Sequence, residues 1–223
     1  KKFKIKNLKV NSKLNFDELI FKYDLFKIKN YVKNYNNSIS LKDNKINIQY
    51  SEKKFLLIGS SEFYIEDGFR NFLNFKISKN KNKTDYETFL DLQNIELNFD
   101  DISYRKLKKD NATLKIDASE NNKTILFKKI NYTDNKNKIE INNLKINNNK
   151  ILDIDKIRFD FVTENEFKNQ IALVKKNKNY DLVGKSFDSM KIIENISNSA
   201  NDKNFFQIFK NLNSKIKIDI DEV

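Results

Sequence analysis

Residues 138–162 read KIEINNLKINNNKILDIDKIRFDFV, and this stretch decides the fold because apolar and polar residues alternate through most of it. A period of two is typical of a β-strand that buries one face. The same alternation recurs in 46–50, 95–99, 114–116 and 216–220. Clusters rich in Asn, Lys and Asp separate these stretches and can form tight turns. Strands this close in sequence are expected to pair with their neighbours, which predicts a long, twisted antiparallel meander.

The apolar positions change parity twice inside the quoted stretch. They are odd-numbered up to Ile141, mostly even-numbered from Leu144 onwards, and odd-numbered again from Ile157. A slip of one residue turns every following side chain to the other face of the sheet. We therefore expect β-bulges near 142–143 and 155–156, which would bend and twist the sheet.

Three segments change from alternation to helical spacing, and each is expected to form a short helix that packs on the sheet. They lie near 26–35, 189–197 and 203–212. Asp188 is placed to cap the second helix, and Asp202 is placed to cap the third. The first is indicated by a spacing of i, i+3, i+4 and i+7 at Ile28, Tyr31, Val32 and Tyr35.

The composition is that of a folded, basic protein. The chain has 223 residues, of which 39% are hydrophobic and 13% aromatic, and its formal net charge is +12. Its lysines are spread between carboxylates, and Arg occurs only at positions 70, 105 and 158. This distribution does not favour nucleic-acid recognition, in which arginine is the better base reader. A positive field would still favour an anionic surface, including phospholipid headgroups.

The sequence offers little that could perform chemistry. It contains no His and no Cys, which excludes Ser-His-Asp and Cys-His catalysis and every zinc site built on those ligands. The three glycines lie too far apart for a phosphate-binding loop. Asp153 with Asp155, and Asp219 with Asp221, are two residues apart, but a charged outer strand face accounts for both pairs. We therefore predict no enzyme, no cofactor and no metal site.

Two stretches carry a family resemblance. In LDLQNIELNFDDISYRKLKKDNATLKID, residues 90–117, an apolar strand is followed by a tyrosine, a basic pair, a polar turn, a small residue and another strand. In NYDLVGKSFDSMKIIENI, residues 179–196, a strand ends in Gly184 and leads through Phe187 and Asp188 into a short helix. The first resembles the recurring unit of AsmA-like proteins, and the second is similar to the subgroup of that family that includes YhdP.

The resemblance implies a large protein that is anchored in the bacterial inner membrane and has its bulk in the periplasm. Its sheet would curl into an open apolar groove, along which this family and the related TamB group are thought to move phospholipids to the outer membrane. The implied partners are phospholipid acyl chains, and membranes through the parent protein. Residues 1–223 would be one continuous groove segment of that parent, with a helical interruption at about 187–212 and the next strand unit starting at 213–223.

A sliding acyl chain needs a continuous apolar strip without directional hydrogen bonds, and the alternating strands can supply one. Withdrawing acyl CH₂ groups from water is worth about 0.8 kcal/mol each, and equivalent sites along the strip keep the energy profile flat. The expected lining comprises Leu114, Ile116, Ile139, Ile141, Ile157, Phe159 and Phe161.

Other interpretations use the same alternation. A structural or adhesive β-solenoid or sandwich would close the apolar face into an ordinary core. An outer-membrane barrel is disfavoured because helices interrupt the strands and aromatic girdles are not evident. Nucleic-acid binding would require lysines clustered with aromatic residues on one face. An open groove with an exposed apolar lining would separate lipid conduction from the closed-core alternative.

Overall fold

The computed structural model describes residues 8–22, 28–33, 35, 37–65, 68–148, 150–190 and 214–223. These residues form fifteen β-strands and two single turns of 3₁₀ helix. The strands are β1 (Lys9–Lys22), β2 (Ser38–Ser51), β3 (Lys54–Tyr64), β4 (Asn71–Asn80), β5 (Lys83–Asp91), β6 (Leu97–Phe99), β7 (Tyr104–Lys106), β8 (Ala112–Asn121), β9 (Thr124–Asp134), β10 (Asn137–Asn147), β11 (Lys150–Asp153), β12 (Lys156–Val162), β13 (Lys168–Lys176), β14 (Asn179–Ser186) and β15 (Ile216–Glu222).

Thirteen strands form one open sheet, which confirms the predicted mostly-β meander. Its order is β1-β2-β3-β4-β5-β8-β9-β10-β12-β13-β14-β15, and β11 also pairs with β10. All neighbours are antiparallel except the last pair, because β14 and β15 run parallel. The prediction of a purely antiparallel sheet is therefore wrong at this edge. A parallel pair requires a crossover connection, and residues 187–215 join β14 to β15 in the sequence.

The strand register places apolar side chains in one file across the sheet. We call this file the central row. With strands about 4.8 Å apart, it is roughly 50 Å long when followed along the sheet. Apart from Gly59 and Thr88, every member of the row has an apolar side chain, from one edge strand to the other. The central row is Leu14, Ile46, Gly59, Phe75, Thr88, Ile116, Ile130, Ile141, Ile157, Leu173, Leu182 and Ile218.

The sheet is irregular where the parity of the sequence slips. Asn143 adopts a left-handed conformation with φ 52°, and its Nδ2 donates to Oδ2 of Asp155 at 2.7 Å. Residues 154–155 separate β11 from β12 directly opposite this point. The two expected irregularities therefore face each other across one strand pair.

A third irregularity, which the sequence analysis did not predict, lies in β2. The register between β2 and β3 shifts between Lys42 and Lys45. The buried Asn44 side chain stabilises this bulge: its Nδ2 donates to the carbonyl oxygens of Phe16 at 3.2 Å and Leu41 at 3.0 Å. Its Oδ1 accepts from Oγ of Ser61 at 2.7 Å. The shift allows apolar residues on both sides of the bulge to face the same side of the sheet.

Helix is sparse in the described residues. In place of the helix expected near 26–35 there is a single 3₁₀ turn, Ile28–Asn30, and Val32 then forms an isolated β-bridge with Leu97. That prediction is therefore corrected: Tyr31 and Val32 contact a neighbouring hairpin, at Phe99 and Leu97, instead of lying on one face of a helix. The other two expected helices lie outside the described residues, apart from the start of the first. There the N–H of Met190 donates to Oδ1 of Asp188 at 3.1 Å, which is the geometry of an N-cap.

The two long margins of the sheet are built differently. One margin, here called the turn margin, carries the short turns around 52–53, 81–82, 122–123 and 177–178, together with the turn at Asn148. The opposite margin, here called the loop margin, carries the longer connections together with the two-residue turn at 135–136. The longest connection that is described throughout is residues 92–111, here called the roof hairpin. It contains β6, a 3₁₀ turn and β7, and it is inserted between β5 and β8, which pair directly.

Candidate functional site

A cavity of about 580 Å³ lies between the roof hairpin and the sheet. Strands β2 and β12 both line it, although roughly 30 Å would separate them in a flat sheet. The sheet therefore curls, and its apolar face forms a groove. Every lining residue is aliphatic or aromatic: Tyr31, Val32, Ile39, Leu41, Phe63, Ile65, Leu73, Leu90, Leu92, Ile95, Leu97, Phe99, Ile102, Leu114, Tyr132, Ile139, Ile141, Leu144, Ile151, Ile154, Ile157 and Phe159.

The structure brings most of the predicted lining residues together. The five that line the cavity are Leu114, Ile139, Ile141, Ile157 and Phe159. Ile116 lies in the central row beside them, where it pairs with Ile130. Phe161 is different, because it is 1% exposed and packs edge-on against Tyr104 with ring centroids 5.6 Å apart. It belongs to the packing under the roof hairpin and not to the cavity wall.

Coverage of the groove changes along the central row. Ile157 is buried, and most of the row between the edge strands is half-buried. At the two edges the row is open: Leu14 is 41% exposed in β1 and Ile218 is 66% exposed in β15. The groove thus combines a covered pocket with an uncovered apolar strip.

A buried polar cluster anchors the roof hairpin to the sheet. The hydroxyl of Tyr104 lies 2.8 Å from that of Tyr132 and also donates to the carboxylate of Asp134. Tyr132 donates to Oδ2 of Asp134 at 2.9 Å, and Nδ2 of Asn137 donates to Oδ1 at 2.6 Å. Burial raises the pKa of the Asp134 carboxyl and of the Tyr132 hydroxyl, since it disfavours both anions. Each polar group in this cluster has a hydrogen-bond partner. The cluster therefore serves to hold the roof hairpin on the sheet.

Lys106 is the other buried polar residue of the roof hairpin. It is 1% exposed, and its Nζ donates to the carbonyl oxygens of Gln93 at 2.7 Å and Ile95 at 2.8 Å. Burial lowers the pKa of its ammonium group from 10.5 to about 8. The side chain closes the hairpin on itself by holding two carbonyl groups that would otherwise lose their water partners.

Ion pairs join the roof hairpin to its neighbours on either side. Glu96 accepts from Nζ of Lys33 at 3.3 Å and from Arg105 at 2.6 Å, and Arg105 also reaches Glu164 at 3.4 Å in the β12–β13 connection. The hydrogen bond from the Arg105 guanidinium holds the pKa of the Glu96 carboxyl below its usual value. These contacts bridge from the β1–β2 connection to the far side of the groove.

The first carboxylate pair noted in the sequence, Asp153 and Asp155, accepts hydrogen bonds from neighbouring side chains. Asp153 accepts from Nζ of Lys175 at 2.5 and 2.6 Å and from the hydroxyl of Tyr180 at 3.3 Å. Asp155 accepts from Asn143. Within the described part of the chain, no group of three or more Asp or Glu residues could hold a metal ion. The arrangement offers an apolar surface and a pocket.

The roof hairpin is the part of the site that sequence reasoning missed. The alternation of Ile95, Leu97 and Phe99 indicated another strand of the meander. Instead, Leu97 and Phe99 lie in β6, which pairs with β7 in a separate two-stranded sheet over the groove. The signal available was the polar run at 108–111, which separates this hairpin from β8.

Among the described residues, no helix is both long and apolar enough to cross a membrane. No protein-family model, curated protein or solved structure matches this chain.

Proposed function

We propose that this chain is a non-enzymatic segment of an AsmA-like, bridge-like protein that carries phospholipids between the inner and outer membranes. Its acyl chains would travel in the groove, and the parent protein would be periplasmic and anchored in the inner membrane through a part outside this chain. One observation carries the proposal: an entirely apolar pocket opens onto a row of mainly apolar side chains that crosses the sheet from edge strand to edge strand.

The size of the pocket suits an acyl chain. A CH₂ group occupies about the volume of a water molecule in the liquid, roughly 30 Å³. A pocket of about 580 Å³ therefore has room for roughly twenty such groups, which is the scale of one fatty tail. No lining residue is charged, so withdrawing a tail from water there leaves no charged side chain without a partner.

The repetition of the lining suits movement. Ile116, Ile130, Ile141 and Ile157 are successive members of the central row and present similar apolar side chains. Dispersion and hydrophobic contacts are non-directional, so a tail can leave one site as it enters the next at little net cost. Charged and polar residues alternate with these residues along the strands and lie on the opposite face.

Co-purification provides the first test. The purified chain is extracted with organic solvent and the extract is searched for phospholipid by mass spectrometry. We expect about one phospholipid per chain or more. A lipid-free protein whose cavity also excludes added phospholipid would instead support the structural alternative with a closed core.

Two matched variants test the path. Phe159→Asp places a charge in the cavity wall and is expected to abolish lipid binding by the chain and transport by the full-length protein. Phe72→Asp is the control, because Phe72 is exposed on β4 outside the cavity lining. Phe159→Trp adds volume without charge and should lower lipid occupancy in a protein that still folds, as checked by circular dichroism. Normal transport by both Phe159 variants would exclude this residue from the path.

A further inference from the structure

Lysine is placed asymmetrically around the groove. Every turn of the turn margin carries it, within the four-residue segments 51–54, 80–83, 121–124, 147–150 and 176–179. The sole acidic residue in these five segments is Glu52. Lys9 and Lys215 continue the series at the same ends of β1 and β15. The lysines of the five segments are Lys53, Lys54, Lys81, Lys83, Lys123, Lys150, Lys176 and Lys178.

The loop margin has no such excess. Its connections mix both signs, and several of these groups neutralise one another, as Glu96 and Arg105 do. Neighbouring turns of the turn margin are two strands apart, or about 10 Å, which is close to the Debye length at physiological salt. The positive potentials of successive turns therefore overlap into a continuous band along one side of the groove. The charged residues of the described loop connections include Arg70, Glu96, Asp100, Arg105, Lys108, Lys109, Asp110, Lys136, Glu164 and Glu166.

Several of these lysines are available for an outside anion. Lys53, Lys81, Lys123 and Lys178 are exposed, and none forms an ion pair with another residue that the structure describes. By contrast, Lys83 pairs with Asp85 at 2.8 Å. An exposed ammonium without a carboxylate partner can bind a phosphate without first breaking an existing contact.

The band lies within one lipid length of the apolar strip. Ile77 pairs with Leu57 and Tyr86 in the file next to the central row, and it precedes Lys81 by four residues. Four residues of strand span about 13 Å. One leaflet of bilayer hydrocarbon is about 15 Å thick. A lipid whose phosphate contacts a turn can therefore lay its tail along the strands, across the central row and toward the roof hairpin.

We propose that the turn margin binds the phosphate of phospholipid headgroups while their tails occupy the groove; this rests on the proposed function. The lysine turns act as a series of equivalent, single-point contacts. A headgroup can pass from one turn to the next as its tail slides, because each exposed lysine–phosphate contact is weak and rapidly exchanged. The groove thereby prefers anionic phospholipids to uncharged lipids with the same tails.

The experiment compares two lipids and two triple variants of the purified chain. Dioleoyl phosphatidylglycerol carries a phosphate, whereas dioleoylglycerol has the same tails without one. The test variant is Lys81→Glu, Lys123→Glu and Lys178→Glu. The control variant is Lys22→Glu, Lys136→Glu and Lys185→Glu, which makes the same charge change at exposed lysines at or near the loop margin. Affinities are measured by titration, and folding is checked by circular dichroism and by the unfolding midpoint.

We expect the test variant to bind phosphatidylglycerol about tenfold more weakly, and to bind dioleoylglycerol as the unmodified chain does. The control variant should change either affinity by no more than about twofold. Added salt should weaken phosphatidylglycerol binding to the unmodified chain and leave dioleoylglycerol binding unchanged.

Different failures have different meanings. If neither lipid binds any variant, the proposed function itself fails. If both lipids bind equally well, and the test and control variants behave alike, the groove stands and the headgroup inference is overturned. If a short RNA oligonucleotide outcompetes phosphatidylglycerol and the test variant loses that RNA binding, the lysine turns serve nucleic acid and the inference is likewise overturned.

Discussion

The two margins of the groove are made from the same alternating strands, yet one is covered and the other is open. At the loop margin the roof hairpin buries Tyr104 and Lys106 almost completely and closes over Phe161. At the turn margin the strands end in tight turns, and Tyr50 remains exposed beside them. The comparison shows that alternation in the sequence specifies an apolar face of the sheet. The connections between the strands decide whether that face is buried or stays exposed.

Connection length is the physical cause of the difference. A two-residue turn reverses the chain within the plane of the sheet and has no residues left to return over its face. The twenty residues of the roof hairpin can leave the sheet and form a small pair of strands. The apolar side chains of this pair then pack on the apolar face of the sheet. Burial there is cooperative, because the hairpin and the sheet each cover the other's apolar side chains.

Truncating one aromatic residue on each side of the groove should give the largest contrast. Phe161→Ala is expected to lower the free energy of unfolding by about 3–5 kcal/mol, because it leaves a cavity beneath Tyr104. Phe127→Ala, in the half-buried wall of β9 toward the turn margin, should cost about 1–2 kcal/mol. Urea unfolding with an unchanged slope would measure both. Equal losses would mean that the two sides are packed alike.

Lys106 should make the free energy of unfolding depend on pH in the alkaline range. Its pKa is lowered from 10.5 to about 8 in the folded protein, so between these values the unfolded chain holds a proton that the folded chain has released. Stability must then rise with pH through this window, by up to about 3 kcal/mol.

The check for Lys106 is urea unfolding of the unmodified chain and of Lys106→Met between pH 7 and 10.5. Other groups titrate in both proteins, so the difference between the two curves isolates Lys106. This difference should grow in favour of the unmodified chain from pH 8 upward. A difference that stays constant with pH would show that Lys106 titrates normally.

Removing single charges should give the smallest difference in stability between the roof hairpin and the open part of the sheet. Glu96→Gln removes the centre of the ion-pair chain across the roof hairpin and should cost about 1 kcal/mol. Lys76→Gln breaks an isolated and exposed pair with Glu87, 2.6 Å long, and should cost less than about 0.5 kcal/mol. Thermal unfolding at low and high salt measures both, and salt should reduce the first cost. A larger loss of stability for Lys76→Gln than for Glu96→Gln would contradict the conclusion that the ion pairs at the roof hairpin are the more stabilising ones.

Local patterns in the sequence predicted several features of the fold correctly. Alternation in 138–162 predicted the strands and their apolar face, and the parity slips predicted the irregularities at Asn143 and Asp155. Both follow from the fixed two-residue repeat of strand side chains, which is a property of the local backbone. Five of the seven expected lining residues line one cavity for the same reason.

The failures involve contacts distant in sequence. Tyr31 and Val32 have helical spacing, but Tyr31 stacks on Phe99 at 5.0 Å and Val32 bridges to Leu97, so both serve the roof hairpin. Sequence spacing describes one element at a time and cannot show which partner will cover it. The parallel pairing of β15 with β14 is of the same kind, because it depends on where the crossover connection returns the chain.

Amino-acid order alone specifies the strand periodicity, the apolar face, the irregularities at Asn143 and Asp155 and the lysine-bearing turns, since each depends on residues within a few positions of one another. Tertiary structure decides that residues 92–111 leave the meander, cover one side of the groove and bury Tyr104, Lys106 and Phe161. It decides this because a connection settles wherever distant apolar surfaces and hydrogen-bond partners together offset the entropy lost on ordering it.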